Sequence, residues 1–323
     1  MKKLPLSSYF PSMQPIALGC MGLGGSWSKD PYSSEQVRQA HEVIDAALDA
    51  GINFFDHADI YTMGKAEQVF GEVLKARPEL RKQMILQSKC GIVFEDDKGP
   101  KRFDFSKDYI LKSVDGILNR LKTEYLDVFL LHRPDPLMEP DEVAEAFSIL
   151  NASGKVKHFG VSNQNLHQMT MLQRSMDMPL VANQIELHLM RLDFLDDIVL
   201  ANNAQAKDVT FTSGTVEYCQ LNNVQIQAWG SLCQGVLSGK SVFEQPLHIQ
   251  QTADLVSKLA ADYQTSAEAI LLAFLMRHPA AIQPIIGTTN PARIKASVQA
   301  KNINLSREHW YSLYIAARGF ELP

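Results

Sequence analysis

Short apolar segments alternate with helix-period segments eight times along this chain, and this alternation restricts the possible folds more than any other feature. The predicted strands are residues 16–18, 53–55, 84–87, 126–131, 156–161, 180–184, 224–228 and 283–286. Repeated strand-helix pairs are typical of a parallel sheet covered by helices. Because no Pro- or Gly-rich linker divides the chain, the pattern favours a closed (β/α)₈ TIM barrel, with residues 1–323 as a single α/β domain, over an open doubly wound sheet.

Two segments do not fit this alternation. Residues 189–223 are polar and rich in asparagine, and they are longer than an ordinary connection. Because long loops on the rim of a barrel are often functional, we interpret this segment either as a substrate lid or as a surface insertion without a role. Residues 306–318 are predicted to form an extra C-terminal helix rich in aromatic side chains.

Composition excludes several classes of partner. The formal charge of -5 and the pI near 6.0 predict no basic surface for nucleic acid or an anionic membrane. The longest apolar run, residues 269–276, is far below the roughly 18 residues that span a bilayer, and no secretory signal follows Met1. The four cysteines (Cys20, Cys90, Cys219 and Cys233) lack the spacing of a disulfide framework or a metal site.

Reduced, scattered thiols indicate the cytoplasm, and no metal is expected. No apolar stripe requires a partner chain, so a monomer is compatible with the sequence, which leaves the oligomeric state open.

Polar side chains follow three of the predicted strands. Asp56 and Tyr61 come after the second strand, Lys89 after the third and His132 after the fourth. Because the carboxyl ends of barrel strands meet on one face, these four side chains are expected to converge there. Reducing a carbonyl requires a proton at oxygen and stabilisation of the developing negative charge, and these residue types can supply both.

The expected chemistry depends on the pKa of Tyr61. A phenol has a pKa near 10, which is too high for efficient acid–base work at neutral pH. A lysine ammonium about 4 Å away contributes on the order of 4 kcal/mol at an effective dielectric of about 20, so we expect Lys89 to lower this pKa by about three units. Asp56 is expected to keep Lys89 charged, and His132 to orient the carbonyl.

Each of these residues has a structural alternative when it is considered alone. Asp56 could cap a helix, Tyr61 could be a rim aromatic, Lys89 a solvated strand end and His132 a hydrogen-bonded structural histidine. Their combination at strand ends favours a site. His57 is expected to be structural, because it should face away from Asp56 if the strand continues.

Five motifs make the chain resemble the aldo-keto reductase family over nearly its whole length. They are FDHADIY at 55–61, SKCG at 88–91, LHRPD at 131–135, GVSN at 160–163 and NQ at 183–184. Within the family the sequence is similar to the bacterial YdhF-type oxidoreductases. The resemblance implies an NAD(P)H-dependent oxidoreductase that reduces a small-molecule aldehyde or ketone to an alcohol, with Tyr61 as the proton donor. The alternative is a nicotinamide-binding, redox-sensing regulatory subunit with little turnover.

The cofactor site is predicted without a common nucleotide-binding motif, since neither GxGxxG nor a P-loop is present. Barrels hold phosphates with the loops after strands seven and eight, and the start of a helix there suits an anion. The candidate residues in these loops are Ser231, Leu232, Gly235, Gly287, Thr288, Thr289 and Arg293.

The resemblance also implies how the nicotinamide is held. It places the carboxamide on Ser162, Asn163 and Gln184, and it stacks the ring on Trp229, where many relatives have tyrosine. Trp27 is a candidate wall of the substrate pocket, or alternatively a packing aromatic at the rim.

The adenosine end departs from the family pattern. Gly287 and Thr288 stand where many relatives have lysine and serine, and Ala296 and Ser297 replace a glutamate–asparagine pair. Arg293 remains and could pair with the 2′-phosphate or stack on the adenine, and the predicted cofactor is NADP(H) rather than NAD(H). A solvent-exposed helix charge is the alternative for Arg293.

Overall fold

The computed structural model describes residues 3–323, and in it eight parallel strands close into a barrel. The strands are β1 (Ala17–Gly19), β2 (Phe54–Asp56), β3 (Ile85–Cys90), β4 (Leu126–Leu131), β5 (Val156–Ser162), β6 (Leu180–Glu186), β7 (Gln225–Trp229) and β8 (Gln283–Ile286). Each strand pairs with its neighbours in sequence, and β1 closes the ring by pairing with β8. The predicted (β/α)₈ barrel and all eight predicted strands are confirmed.

Eleven helices accompany these strands in the described chain. They are α1 (Ser34–Asp49), α2 (Lys65–Ala76), α3 (Lys107–Leu121), α4 (Pro140–Ala152), α5 (Leu166–Arg174), α6 (Asp193–Val199), α7 (Thr215–Leu221), α8 (Leu247–Asp262), α9 (Ala267–Met276), α10 (Pro291–Ser297) and α11 (Arg307–Arg318). Between residues 3 and 323, no helix has both the length and the apolar character needed to cross a membrane.

The main apolar core lies between the strands and the surrounding helices. Phe147 of α4 stacks on Phe159 of β5 with ring centroids 4.2 Å apart, and it meets Phe129 of β4 edge-on at 6.1 Å. All three rings are buried, and each contributes roughly 1.5–3 kcal/mol relative to an exposed position. The packing of these three rings holds β4 and β5 against α4, and the polar residues of the site lie at the ends of such strands.

The barrel interior is divided along its axis. The end near the strand starts is filled by apolar side chains, including Phe54, Ile85 and Val128, and Leu6 of the N-terminal segment packs with this group. The opposite half holds buried polar side chains, among them Lys89. The buried polar side chains near the carboxyl ends of the strands indicate where a site can form.

The predicted C-terminal helix is present as α11. Its Trp310 stacks on Phe274 of α9 with centroids 4.9 Å apart, and its indole nitrogen donates to the Phe274 carbonyl. A two-stranded antiparallel sheet, Ile92–Val93 with Arg102–Phe103, was not predicted. It extends from the loop after β3 over the rim of the barrel.

Candidate active site

Lys89 occupies the centre of the site, and its ammonium group has three acceptors. Nζ donates to Asp56 Oδ2 at 2.9 Å, to the His57 carbonyl at 2.7 Å and to the Tyr61 hydroxyl at 3.0 Å. The side chain is fully buried. Because an ammonium has three hydrogens, all of its donors are satisfied and its direction is fixed.

Tyr61 is aimed by a turn with unusual backbone angles. It begins a 3₁₀ turn in which Thr62, Met63 and Gly64 all have positive φ, at 49°, 61° and 86°. Such angles are costly for residues with a side chain, and they persist only where the surroundings enforce them. Here the Thr62 hydroxyl donates to the Leu23 carbonyl at 2.9 Å, which ties the turn to the loop after β1.

The structure reverses the direction that we expected for the pKa of Tyr61. Burial raises this pKa; Lys89 acts to lower it, but the nearby Asp56 carboxylate raises it again. The isolated-pair argument omitted both the desolvation of the phenolate and the counter-charge on Lys89. Tyr61 is therefore a protonated phenol at neutral pH.

Lys89 and His132 also have definite protonation states at neutral pH. Burial alone would lower the pKa of Lys89, but Asp56 and Tyr61 outweigh it and raise the value, so the ammonium persists. Burial, aided by the charges of Lys89 and Arg133, lowers the pKa of His132 well below its usual range. His132 is thus a neutral imidazole, and its ring meets that of Tyr61 edge-on at 6.0 Å.

His57 faces the opposite side of the barrel wall, as predicted. Its ring is fully buried and contacts Phe70 of α2 edge-on at 4.6 Å. Only its backbone carbonyl reaches the site, where it accepts a hydrogen bond from Lys89.

A cavity of about 590 Å³ opens above these residues at the carboxyl ends of the strands. The predicted residues that border it are Trp27, Asp56, Tyr61, His132, Ser162, Asn163, Gln184, Trp229, Ser231, Leu232, Gly235, Gly287, Thr288 and Arg293. Lys89 lies beneath the floor. Thr289 does not border the cavity, because its methyl group turns towards Gly22 in the segment after β1.

The three predicted carboxamide residues lie together between β5 and β6. Ser162 Oγ donates to the Gln184 carbonyl at 2.9 Å, and the Asn163 amide nitrogen donates to Ser162 Oγ at 2.8 Å. Asn163 adopts a left-handed φ of 59°. Its Oδ1 accepts the indole N–H of Trp229 at 3.1 Å, a contact that fixes the indole edge and that a tyrosine ring would lack.

Arg133 contacts one face of Trp229, with its guanidinium carbon 5.4 Å from the ring centroid. The indole is thereby positioned from the edge by Asn163 and from one face by Arg133. Both contacts hold a π surface at the cavity wall, as stacking on a nicotinamide requires.

The start of α10 is less available to an anion than we expected. Asn290 Oδ1 already accepts the backbone N–H groups of Ala292 at 2.9 Å and Arg293 at 3.3 Å. The backbone at Gly287, directly after β8, is accessible to a ligand, however, because a Cβ added there would meet no atom within 4 Å. Arg293 borders the cavity nearby, with Nε 3.9 Å from Glu268 Oε1.

Trp27 also borders the cavity, with half of its surface exposed. It meets Phe94 edge-on at 6.4 Å, and Phe94 directly follows the strand Ile92–Val93 of the sheet that was not predicted. Several other bordering residues were not named individually from the sequence: Met21, Ile60, Ile92, Lys101, Arg133, Gln234, Ser238 and Glu268. Of these, Ile92 and Lys101 lie in the loop of residues 92–105, which was expected to shape the pocket. Arg133 was accessible to that reasoning, since it directly follows His132 at a strand end.

None of residues 189–223 borders this cavity, so the lid interpretation gains no support. The segment folds into α6, a 3₁₀ turn and α7, and it borders a second, more polar cavity of about 390 Å³. It is tied to the C-terminal helix, because Asp196 accepts a hydrogen bond from Tyr314 and pairs with Arg318 at 3.0 Å. Across the described residues, no group of three or more His, Cys, Asp or Glu side chains is placed to hold a metal ion.

The chain is similar to known proteins over most of its length. The model of the aldo/keto reductase family matches residues 15–316. The oxidoreductase YdhF of Escherichia coli (strain K12) is 36% identical over 289 residues, which cover 89% of this chain and 90% of that protein. A 6-dehydroglucose reductase of Agrobacterium fabrum is 34% identical over 92% of this chain and 94% of its own length.

A solved structure shares the architecture. The aldo/keto reductase from Klebsiella pneumoniae, in complex with NADP and acetate, superposes with a TM-score of 0.72 at 24% identity, over 96% of this chain and 93% of that one. This likeness shows the fold. Because the family model and both relatives extend over most of the sequence, the chain belongs to the aldo/keto reductase family.

Proposed function

We propose that the protein is an NADP(H)-dependent reductase that converts an aldehyde or ketone to an alcohol, with Tyr61 as the proton donor. The observation that carries the proposal is the 3.0 Å contact between Lys89 Nζ and the Tyr61 hydroxyl, at the floor of a cavity of about 590 Å³. A buried ammonium beside a phenol stabilises the phenolate that remains when the proton leaves.

The proposed chemistry divides the work between the cofactor and the chain. When bound, NADPH supplies a hydride to the carbonyl carbon. Tyr61 gives its proton to the carbonyl oxygen, and Lys89 stabilises the phenolate that forms. Asp56 keeps Lys89 charged throughout, since its Oδ2 lies 2.9 Å from the ammonium.

His132 is proposed to orient the substrate. A neutral imidazole donates one hydrogen bond from a ring N–H, so it can hold the carbonyl oxygen without competing as an acid. Trp27 is proposed to form a wall of the substrate pocket, because it borders the same cavity as Tyr61 and His132.

The residues present fit a nicotinamide dinucleotide. Ser162, Asn163 and Gln184 supply polar atoms for the carboxamide, and Trp229 presents a positioned ring. Arg293 offers a cation to a 2′-phosphate, which supports NADP(H). The shared fold of the Klebsiella pneumoniae reductase, which was solved with NADP, is consistent with this choice.

The alternative of a redox-sensing regulatory subunit is not favoured. Relatives that match most of the chain carry the names of oxidoreductases. No feature of the described residues sets a separate partner-binding unit apart from the barrel.

The test compares Tyr61→Phe with the wild type in NADPH binding and in carbonyl turnover. We expect NADPH affinity within a few fold of the wild type and turnover lower by at least about 100-fold, the scale of general acid catalysis. Tyr9→Phe is the matched control, because this half-exposed tyrosine packs on His158 outside the site.

The substrate panel should contain aldehydes, ketones and an oxidised sugar, the last because one relative is a 6-dehydroglucose reductase. Turnover that survives in Tyr61→Phe would remove the acid assignment. A wild type that binds NADPH but reduces no member of the panel would support the regulatory alternative.

A further inference from the structure

A chain of buried glutamine amides crosses the polar half of the barrel interior. It contains Gln87 of β3, Gln184 of β6, Gln227 of β7 and Gln283 of β8, and at most 2% of the surface of any of them is exposed. The chain begins at Asp56, whose Oδ1 accepts from Gln87 Nε2 at 2.6 Å and from Gln184 Nε2 at 3.0 Å.

The carboxylate fixes the direction of every amide in this chain. An ionised Asp56 can only accept, so Gln87 and Gln184 must both turn Nε2 towards it. Their second N–H groups point to Gln227 Oε1, at 2.9 and 3.2 Å. Gln227 therefore has its Nε2 on the other side, where it donates to Gln283 Oε1 at 3.0 Å.

This arrangement determines what the site offers to a ligand. Both hydrogens of the Gln184 amide are used inside the barrel, so the only polar atom that Gln184 can offer the cavity is Oε1, an acceptor. An acceptor is the group that a carboxamide NH₂ needs. Gln87 and Gln184 also hold Oδ1 of Asp56, which leaves Oδ2 for Lys89.

We propose that Gln227 is a positioning residue for the cofactor site: it accepts the second N–H groups of Gln87 and Gln184. It thereby holds firm the Gln184 amide that Asp56 has oriented, with Oε1 towards the nicotinamide carboxamide, and it keeps the Asp56 carboxylate against Lys89. Gln227 is fully buried and does not border the cavity, so it acts only through Gln184 and Gln87. The inference rests on the proposed function, because it assumes a bound nicotinamide.

The first experiment replaces Gln227 with leucine and measures NADPH affinity by fluorescence titration. Two N–H groups lose their acceptor, and the Gln184 amide keeps only its hydrogen bond to Asp56, so we expect it to be held less firmly and NADPH to bind about tenfold more weakly. Gln225→Leu is the matched control. Gln225 is equally buried on the same strand, but it donates to the carbonyls of Ile226 and Ala281 rather than to the amide chain.

Gln225→Leu should lower the thermal midpoint and leave NADPH affinity unchanged. A folded Gln227→Leu protein that binds NADPH as tightly as the wild type would overturn the inference. If the wild type itself fails to bind NADPH, the proposed function fails instead, so the two failures are distinguishable.

The second experiment uses Gln227→Glu and tests the inference even if Gln227→Leu does not fold. A protonated carboxyl can make the same hydrogen bonds as the amide: its carbonyl oxygen accepts from Gln87 and Gln184, and its O–H donates to Gln283. An ionised carboxyl loses that donor and lies near Asp56, which repels it. Burial and Asp56 both favour the protonated form.

We therefore expect Gln227→Glu to bind NADPH like the wild type at about pH 6 and about tenfold more weakly than the wild type at about pH 9. The comparison with the wild type at each pH removes the titration of the cofactor itself. The free energy of unfolding of Gln227→Glu relative to the wild type must fall over the same interval and then level off, which shows that the carboxyl ionises in the folded protein. A ratio of NADPH affinities that does not change while the carboxyl ionises would overturn the inference.

Discussion

Lys89 Nζ donates a hydrogen bond to the Tyr61 hydroxyl at 3.0 Å and at the same time to Asp56 Oδ2 at 2.9 Å. One cation is thus shared between a carboxylate that is already charged and a phenol that becomes charged only during the reaction. Before the reaction, burial raises the pKa of Tyr61, and Asp56 raises it further against the lowering effect of Lys89. The phenol therefore keeps its proton, and the ammonium is in place when the proton leaves.

Lys89→Met tests this arrangement. Methionine fills similar space but carries no charge, so the phenolate of Tyr61 would lose its stabilising partner. We expect the rate of carbonyl reduction, measured in single turnover with saturating NADPH, to fall by at least about 100-fold.

The control for Lys89→Met is Lys82→Met, an exposed lysine just before the start of β3. Because Lys89→Met leaves the Asp56 carboxylate buried without its cation, circular dichroism must first establish that the variant is folded. A folded Lys89→Met protein with the wild-type rate would contradict the role assigned to this lysine.

The dependence of the reduction rate on pH follows from two pKa values. The raised pKa of Tyr61 keeps the phenol protonated up to its ordinary value near 10 and beyond. The lowered pKa of His132 keeps the imidazole neutral down to well below its ordinary value near 6.5. We expect the single-turnover rate to be flat between about pH 7 and about pH 9. A limb with an apparent pKa inside this interval would show that one of the two assignments is wrong.

The positions of the strands and of the four candidate catalytic residues could be predicted because both follow from chain order. Apolar periodicity marked each strand, and the barrel topology then brought Asp56, Tyr61, Lys89 and His132 to one face although they are far apart in sequence. The sheet formed by Ile92–Val93 and Arg102–Phe103 could not be predicted in this way, since two-residue strands have no periodicity.

The cap of α10 could have been predicted, since Asn290 directly precedes a proline at the first helical position, a pattern that marks a helix start whose N–H groups are already bound. The contact of the Thr289 methyl group with Gly22 depends on the packing of two loops and has no local pattern. The pKa of Tyr61 is a sum over burial, Lys89 and Asp56, and a pairwise estimate from sequence contained only one of these contributions.

Arg293 and Glu268 are predicted to set the choice between the two nicotinamide cofactors. Arg293 Nε lies 3.9 Å from Glu268 Oε1, and both residues border the cavity. We expect Arg293→Ala to weaken NADPH binding by about tenfold while NADH binding changes little, because only NADPH carries a 2′-phosphate. Glu268→Gln should strengthen NADPH binding relative to NADH, since it removes a carboxylate that competes for Arg293.

Both dissociation constants can be measured by fluorescence titration at fixed ionic strength, with the exposed Arg307→Ala as the control for net charge. Equal losses for NADPH and NADH in Arg293→Ala would assign the arginine to a part of the cofactor that both molecules share.

Asp59 is predicted to make the protein less stable as pH rises towards 8. Its Oδ1 is buried and has no hydrogen-bond partner among the described residues. Burial, with a smaller contribution from Glu67, raises the pKa of Asp59 to about 8, although Arg120 acts to lower it. In the unfolded chain the carboxyl ionises near pH 4, so between about pH 4 and about pH 8 the folded state binds the extra proton.

The free energy of unfolding should therefore fall with rising pH across this window, by at most about 1.4 kcal/mol per pH unit from this group, and level off above it. Asp59→Asn replaces the protonated acid by an amide of similar shape that does not titrate, so its free energy of unfolding should fall less between about pH 5 and about pH 8. Guanidinium melts at both pH values measure the difference, with Asp49→Asn at the exposed end of α1 as the matched control. If Asp59→Asn and the wild type lose the same free energy over this interval, Asp59 is ionised in the folded protein and some other charge must compensate its burial.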